Sequence, residues 1–264
     1  MNTHLKRQPA LFVGHGSPMI AVEHNTLTEG LAAIGKQLID QFGRPKAILA
    51  ISGHWSGYSH RVQRTPHPKQ EFDMYGFPQR LYEVKYTPEG CADLSDAVLA
   101  IEGIGATVDN SWGIDHGTWT PLVHMFPNHD IPIVQLSVHE GLTPRACYEA
   151  GQLLAPLRDK GYLILGSGNV VHNLARVNWR HRTGTPECVA FDNYIYEAIE
   201  QRDDDAVIDY VSHPNAGYAV PTTEHFLPLL YILGAARGEQ ATVFNRECQL
   251  DAISMTSYLF KGGS

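Results

Sequence analysis

Ala10-Leu-Phe-Val-Gly-His-Gly-Ser17 and Ala47-Ile-Leu-Ala-Ile-Ser-Gly-His-Trp55 follow one plan, an apolar run closed by small residues and a histidine. A short continuous apolar run bounded by such residues reads as a buried strand. Between the two runs, Leu27, Leu31, Ile34, Leu38 and Phe42 are spaced four, three, four and four apart and mark one face of a helix. Gly43-Arg-Pro45 ends that helix. Strand, helix, strand over about forty residues is a crossover, and it suits a parallel pair with carboxyl ends side by side. His15 and His54 would then face one crevice, which is where α/β sheets bind ligands.

The alternation continues along the chain. Further helices are expected over Asp93–Ile101, Pro144–Arg158, Phe191–Ile199 and His225–Leu233, the last capped by Gly234. Strands are expected over Ala106–Val108, Ile131–Val138, Tyr162–Leu165, Ala241–Phe244 and Ser254–Phe260. The pattern predicts one α/β domain over 1–264, a mostly parallel central sheet flanked by helices, with an antiparallel edge from the C-terminal strands. Residues 60–90 break the rhythm: Pro66, Pro68, Pro78 and Pro88 interrupt them, and Phe72, Tyr75, Phe77, Tyr82 and Tyr86 interleave with charge. A long segment of little periodicity is usually a functional loop, here a candidate wall or lid.

Composition narrows the partners. Of 264 residues 43% are apolar and only 18% charged, enough for one large core and too little charge for disorder. Twenty Lys and Arg against 28 Asp and Glu leave a net charge of −8, and no basic cluster appears, which argues against nucleic acid and anionic membrane. Ala10–Val13 is too short for a signal-peptide core, and Phe226–Ala236 is about half a membrane span. Cys91, Cys147, Cys188 and Cys248 form no C-x-x-C pair and read as free thiols of a reducing cytoplasm. A cytoplasmic protein acting on small molecules is the expectation, with its oligomeric state open.

Five of the fourteen histidines sit among small residues. His15 and His54 form the strongest pair, since both follow buried strands one crossover apart. Neutral imidazole is the commonest protein ligand for a transition metal. His172, after Gly166-Ser-Gly-Asn169, reads equally well as a site residue or a hydrogen-bonded loop residue. His116 follows Asp115, a carboxylate that could orient it. His225, at a helix start, is weak by position alone. His139 follows a strand and is a rival, while His4, His60, His67, His129, His181 and His213 have polar or proline-rich neighbours and read as solvated. No G-x-S-x-G elbow, phosphate loop or H-E-x-x-H is present, and Gly166-x-Gly168 lacks the third glycine of a dinucleotide fingerprint.

Taken in order, Leu11-Phe-Val-Gly-His-Gly-Ser-Pro-Met19, Ser52-Gly-His-Trp55, Tyr75-Gly-Phe-Pro78, Trp112-Gly-Ile-Asp-His-Gly-Thr-Trp119, Gln135-Leu-Ser137, Gly166-Ser-Gly-Asn-Val-Val-His-Asn173 and Glu224-His-Phe-Leu-Pro-Leu-Leu230 resemble the DOPA 4,5-extradiol dioxygenase group. That group belongs to the class III extradiol ring-cleaving dioxygenases. The resemblance implies an α/β fold and one divalent non-haem metal per chain, held by His15, His54 and His225. Fe(II) would serve activity, and Zn(II) is plausible in the purified protein because three imidazoles also suit zinc. Protocatechuate-cleaving relatives place a glutamate at the third position, so this chain departs from two histidines and a carboxylate. By the same resemblance His172 is the acid/base and a further candidate ligand of the metal, and His116 is a second catalytic histidine. His139 matches no family position. The implied substrates are a catechol and dioxygen, and the implied product is a muconic semialdehyde.

The opening Leu11–Ser17 also resembles sirohydrochlorin-type metal chelatases, although the later motifs do not. A non-catalytic metal-binding role on the same fold is a second alternative. A zinc hydrolase is a third, for which no carboxylate is placed as general base.

Overall fold

Six strands build one sheet at the centre of the computed structural model, which describes residues 6–262. In chain order the main elements are β1 (Ala10–Gly14), α1 (Thr26–Phe42), β2 (Ala47–Ser52), α2 (His116–Met125), β3 (Ile133–Gln135) and α3 (Pro144–Leu154), followed by β4 (Tyr162–Gly168), α4 (Pro186–Glu200), α5 (Leu227–Ala235), β5 (Ala241–Phe244) and β6 (Ser257–Phe260). The spatial order is β3-β2-β4-β1-β6-β5. The first four strands are mutually parallel, and β6 and β5 add an antiparallel edge. This is the mixed α/β domain that the pattern predicts.

One expectation about pairing fails. β1 and β2 are parallel but not neighbours, because β4 lies between them. β4 is buried along all seven residues, and a strand with no polar face belongs in the middle of a sheet. The carboxyl ends still align, since Val13 pairs with Ser167 and Ser167 with Ser52. Sheet faces alternate as pleating requires. Leu11 and Val13 pack with α1 and α2 on one side, whereas Ala10 and Phe12 pack with α3, α4 and α5 on the other.

Local chemistry explains the element ends. Asn25 caps α1 by accepting from Leu27 N and Thr28 N, and the Thr28 hydroxyl accepts from Asn25 N, a reciprocal capping box. Of the expected face, Leu27, Leu31, Ile34 and Leu38 are buried and Phe42, the last residue of the helix, is half-buried. The helix expected over Pro144–Arg158 is broken at Ala155, where Pro156 starts a separate turn of Pro156–Asp159. The strand expected over Ile131–Val138 splits: Val138–His139 leaves the main sheet to pair with Ser56–Gly57. The expected strand Ser254–Phe260 divides likewise into Ile253–Ser254 and Ser257–Phe260.

Gly234 is not a cap but an interior residue of α5, which ends at Ala235. A Cβ there would lie 1.9 Å from Tyr148 O, so glycine lets α5 and α3 touch backbone to backbone. α5 is buried at every position, which explains its lack of a polar face. Among the described residues no helix is long and apolar enough to cross a membrane.

Candidate active site

The site begins with a proline. Pro121 lies inside α2 and has no N–H, so the carbonyl of Gly117 loses its helical partner. The Ser167 hydroxyl, at the carboxyl end of β4, donates to that carbonyl. Its one proton is thereby committed, so Ser167 Oγ must accept from His15 Nδ1, 3.0 Å away. His15 is thus held with its proton on Nδ1 and a bare lone pair on Nε2.

Two further rings are held from the same side. Glu224 Oε1 lies 3.1 Å from His225 Nδ1. Asp73 Oδ2 lies 3.2 Å from His54 Nδ1. An ionised carboxylate only accepts, so both rings keep their protons on Nδ1. The Nε2 atoms turn inward, 3.1 Å apart between His54 and His15 and 3.2 Å apart between His54 and His225. With every ring proton on the outer nitrogen, none remains between these atoms, and three lone pairs face one point. Imidazole nitrogens roughly 2.0–2.1 Å from a shared divalent ion lie about 3 Å apart when their bonds meet near a right angle. The donor set therefore fits a divalent metal, with an outer partner on each ring as bound histidines usually have.

Gly117 shapes the centre. A Cβ there would meet Ser52 Oγ at 2.7 Å, His54 Cδ2 at 2.8 Å and His15 Cε1 at 3.2 Å. Only glycine lets the start of α2 approach the rings. Below it Asp115, fully buried, caps α2 through Thr118 N at 3.1 Å and accepts from Ser52 Oγ at 2.7 Å and Gln135 Nε2 at 2.8 Å. Those bonds tie β2, α2 and β3 beneath the site and satisfy a charge that burial would otherwise penalise.

His172 and His116 flank the triad. The His172 ring stacks on His225, with centroids 3.7 Å apart and planes within 6°. Its donor atom groups with Glu224 and His225 rather than with the facing three. The His116 ring centroid is 3.9 Å from that of His54, and its Nδ1 lies 3.0 Å from Asp73 Oδ1.

Burial and neighbouring imidazoles hold His15 and His225 well below the ordinary histidine value, so both stay neutral. Burial, then the His225 and His54 rings, push His172 down to about 2, far from the unshifted ring that a simple acid/base would use. His54 moves the other way: burial lowers it, but Asp73, Asp115 and Glu224 together raise it.

These histidines floor a cavity of about 370 Å³ whose wall includes Met74, Phe77 and Ile253 and whose rim includes Trp179 and Tyr75. Tyr75 is 92% exposed and Trp179 is 64% exposed, so two aromatic rings stand free at the mouth.

Residues 9–261 match the family described as the catalytic LigB subunit of aromatic ring-opening dioxygenase. The chain belongs to the LigB family. Its relatives include the 4,5-DOPA dioxygenase extradiol of Escherichia coli K12, 36% identical over 95% of this chain and 94% of that protein. The Beta vulgaris protein of the same name is 35% identical over 94% and 95%. The crystal structure of an uncharacterized E. coli K12 protein superposes with a TM-score of 0.83 at 33% identity, covering 97% of this chain and 100% of that one. This LigB-family chain is an extradiol ring-cleavage dioxygenase, and the match leaves the chelatase, hydrolase and non-catalytic readings without support.

The fold brings all five singled-out histidines, His15, His54, His116, His172 and His225, to one cavity. His139 lies elsewhere, beside His60. His60 is 3% exposed rather than solvated, because Ile104 O and Tyr231 OH take both of its ring nitrogens. Sequence reasoning missed Asp73 altogether and gave no role to Ser167 or Glu224. Ser167 had a local signal, at the end of a buried strand, but Asp73 lies in the aperiodic aromatic loop.

Proposed function

We propose that this chain opens the ring of a DOPA-like catechol with dioxygen, giving a muconic semialdehyde, at a divalent metal held by His15, His54 and His225. Support comes above all from the three Nε2 atoms that face one point, a donor set that suits a divalent cation. Relatives named for DOPA cleavage support the substrate class. Iron(II) at this site would supply the Lewis acidity for catechol oxygens and a path by which the catechol's electrons reach dioxygen.

The chain's own residues do the rest. The cavity of about 370 Å³ admits one aromatic ring, and Phe77 and Met74 give it an apolar wall. His172 is neutral and accepts the phenolic proton at a bare ring nitrogen. With the ring pushed down to about 2, it takes that proton only while the negative catechol oxygen lies against it. The same coupling returns the proton readily to a more basic oxygen as the ring opens. Proton transfer of this kind contributes about 10²–10⁴-fold. His116, beside His54, directs Nδ1 to Asp73 and lines the cavity, where its other nitrogen would hydrogen-bond an oxygen of the bound catechol or dioxygen.

Anaerobic loading with Fe(II), followed by oxygen uptake and yellow-product formation across a panel of catechols including DOPA, tests the reading. One oxygen consumed per ring opened, with zinc-loaded protein inactive, is the expected result. No uptake with any catechol would overturn it.

A further inference from the structure

We infer that Asp73 is a positioning residue that sets the orientation of two histidines and fastens the aromatic loop to the metal centre. The inference rests on the three-histidine reading above and adds a residue to it.

Asp73 sets one carboxylate oxygen against each of two rings of the site. Oδ2 lies 3.2 Å from His54 Nδ1, and Oδ1 lies 3.0 Å from His116 Nδ1. Oδ1 also accepts from the backbone N–H of His116, at 2.9 Å. The side chain is 11% exposed, so water competes little for these contacts. As an acceptor-only group it keeps the His54 proton outward and leaves Nε2 bare. Without it, His54 is free to place its proton on Nε2, between His15 and His225, which abolishes ligation by that ring. Serine and glutamate do the same work for His15 and His225 through contacts near in the fold to β4 and α5. For His54 the carboxylate comes from a loop that also carries Met74, Tyr75 and Phe77 of the cavity wall.

That loop is anchored just before Asp73. Glu71 N donates to Ile114 O at 2.8 Å, and Trp119 Nε1 donates to Glu71 O at 2.9 Å. The Phe72 ring meets Trp119 edge-on at 5.6 Å. Tyr75, two residues beyond Asp73, is exposed. Asp73 therefore sits at the boundary between the pinned and the free part of the wall.

Loss of an outer partner typically weakens metal binding about 10–100-fold. Asp73→Asn keeps the shape, but its amide has one acceptor oxygen where the carboxylate has two. Zn²⁺ affinity, measured by competition with a chromophoric chelator, is expected to fall about 10–100-fold in D73N. D73E, which retains both acceptors, is expected to recover part of that loss. The midpoint of metal-free unfolding is expected to stay near wild type, which separates positioning from a merely structural role. A wild type that binds one Zn²⁺ with a D73N variant that binds it equally well would overturn this inference alone. A wild type that binds no Zn²⁺ would overturn the three-histidine reading and this one with it.

Discussion

Among the described residues, two groups of buried or half-buried histidines line cavities, and they differ in what their nitrogens have left to do. His60 and His139 sit 5.3 Å apart by ring centroid and line a cavity of about 320 Å³, close in size to that of the five-histidine site. His60 Nδ1 contacts Ile104 O at 2.9 Å and its Nε2 contacts Tyr231 OH at 2.8 Å, while His139 Nδ1 accepts from Gly141 N at 3.1 Å. Every lone pair and proton on His60 is matched. At His15, His54 and His225 the outer nitrogens are matched and the inner ones face each other. Burial and cavity size do not separate the two groups, but unmatched lone pairs do. A larger cavity, about 540 Å³ between Arg145, Asp203 and Arg237, makes the same point, since it gathers ordinary surface charges.

The comparison breaks most directly at His225. His225→Ala removes one of the inward nitrogens. Metal content measured by mass spectrometry is expected to fall from one ion per chain to near none, with ring cleavage lost. The loss in metal affinity should exceed the roughly 10–100-fold caused by removing an outer partner. Full metal retention would mean that the facing nitrogens are not the ligands.

His172→Ala sharpens the picture, because His172 stacks on a ligand without joining the facing set. Turnover is expected to drop about 10²–10⁴-fold, with metal content unchanged. Should metal content fall in step with turnover, His172 is a ligand and the proton carrier must be sought elsewhere.

How far the sequence reveals these differences depends on distance along the chain. The strand ends are legible because an apolar run and its closing Gly and His are contiguous, and so His15 and His54 stand out. Residues far apart in sequence are not. Asp73 meets His116 from 43 positions away, out of a loop without period. His60 looks solvated beside Ser59 and Arg61, and its ring nitrogens meet Ile104 and Tyr231, 44 and 171 residues later. The order of strands escapes for the same reason, since a crossover fixes direction but not which later strand enters between. His225 shows the complementary limit: position alone makes it weak, and the ordered family motifs raise it.

On the matched side of the comparison, His60→Ala leaves the Tyr231 hydroxyl and the Ile104 carbonyl without partners. Each buried group left unpaired costs about 1–3 kcal/mol. Urea unfolding of the metal-free protein is expected to show a loss of that order or more, while zinc content and turnover per folded chain stay at wild-type levels. A drop in metal content greater than the drop in folded fraction would make His60 part of the site.

The smallest expected effect, ring by ring, is a slope with pH, and its sign follows from burial. In the unfolded chain every histidine titrates near 6.5. In the folded, metal-free chain burial and mutual repulsion hold His15 and His225 well below that value and hold His172 near about 2. Between about 6.5 and about 2 the unfolded state thus binds protons that the folded state refuses, so stability rises with pH across that window. His54 acts outside this window, since its raised value contributes stability that is constant below 6.5 and fades only as pH climbs from 6.5 through the folded value. Five suppressed rings, His60 and His116 among them, therefore set the slope below 6.5, and metal-free stability is expected to fall on the order of 1 kcal/mol per pH unit for each ring that refuses its proton on acidification below about 6. Bound metal adds to the slope, because protons compete for the same Nε2 atoms. Denaturant midpoints at pH 7.5, 6.5 and 5.5, with and without zinc, measure both parts. A flat metal-free profile would show that these buried rings accept protons where they lie and that burial does not hold them neutral.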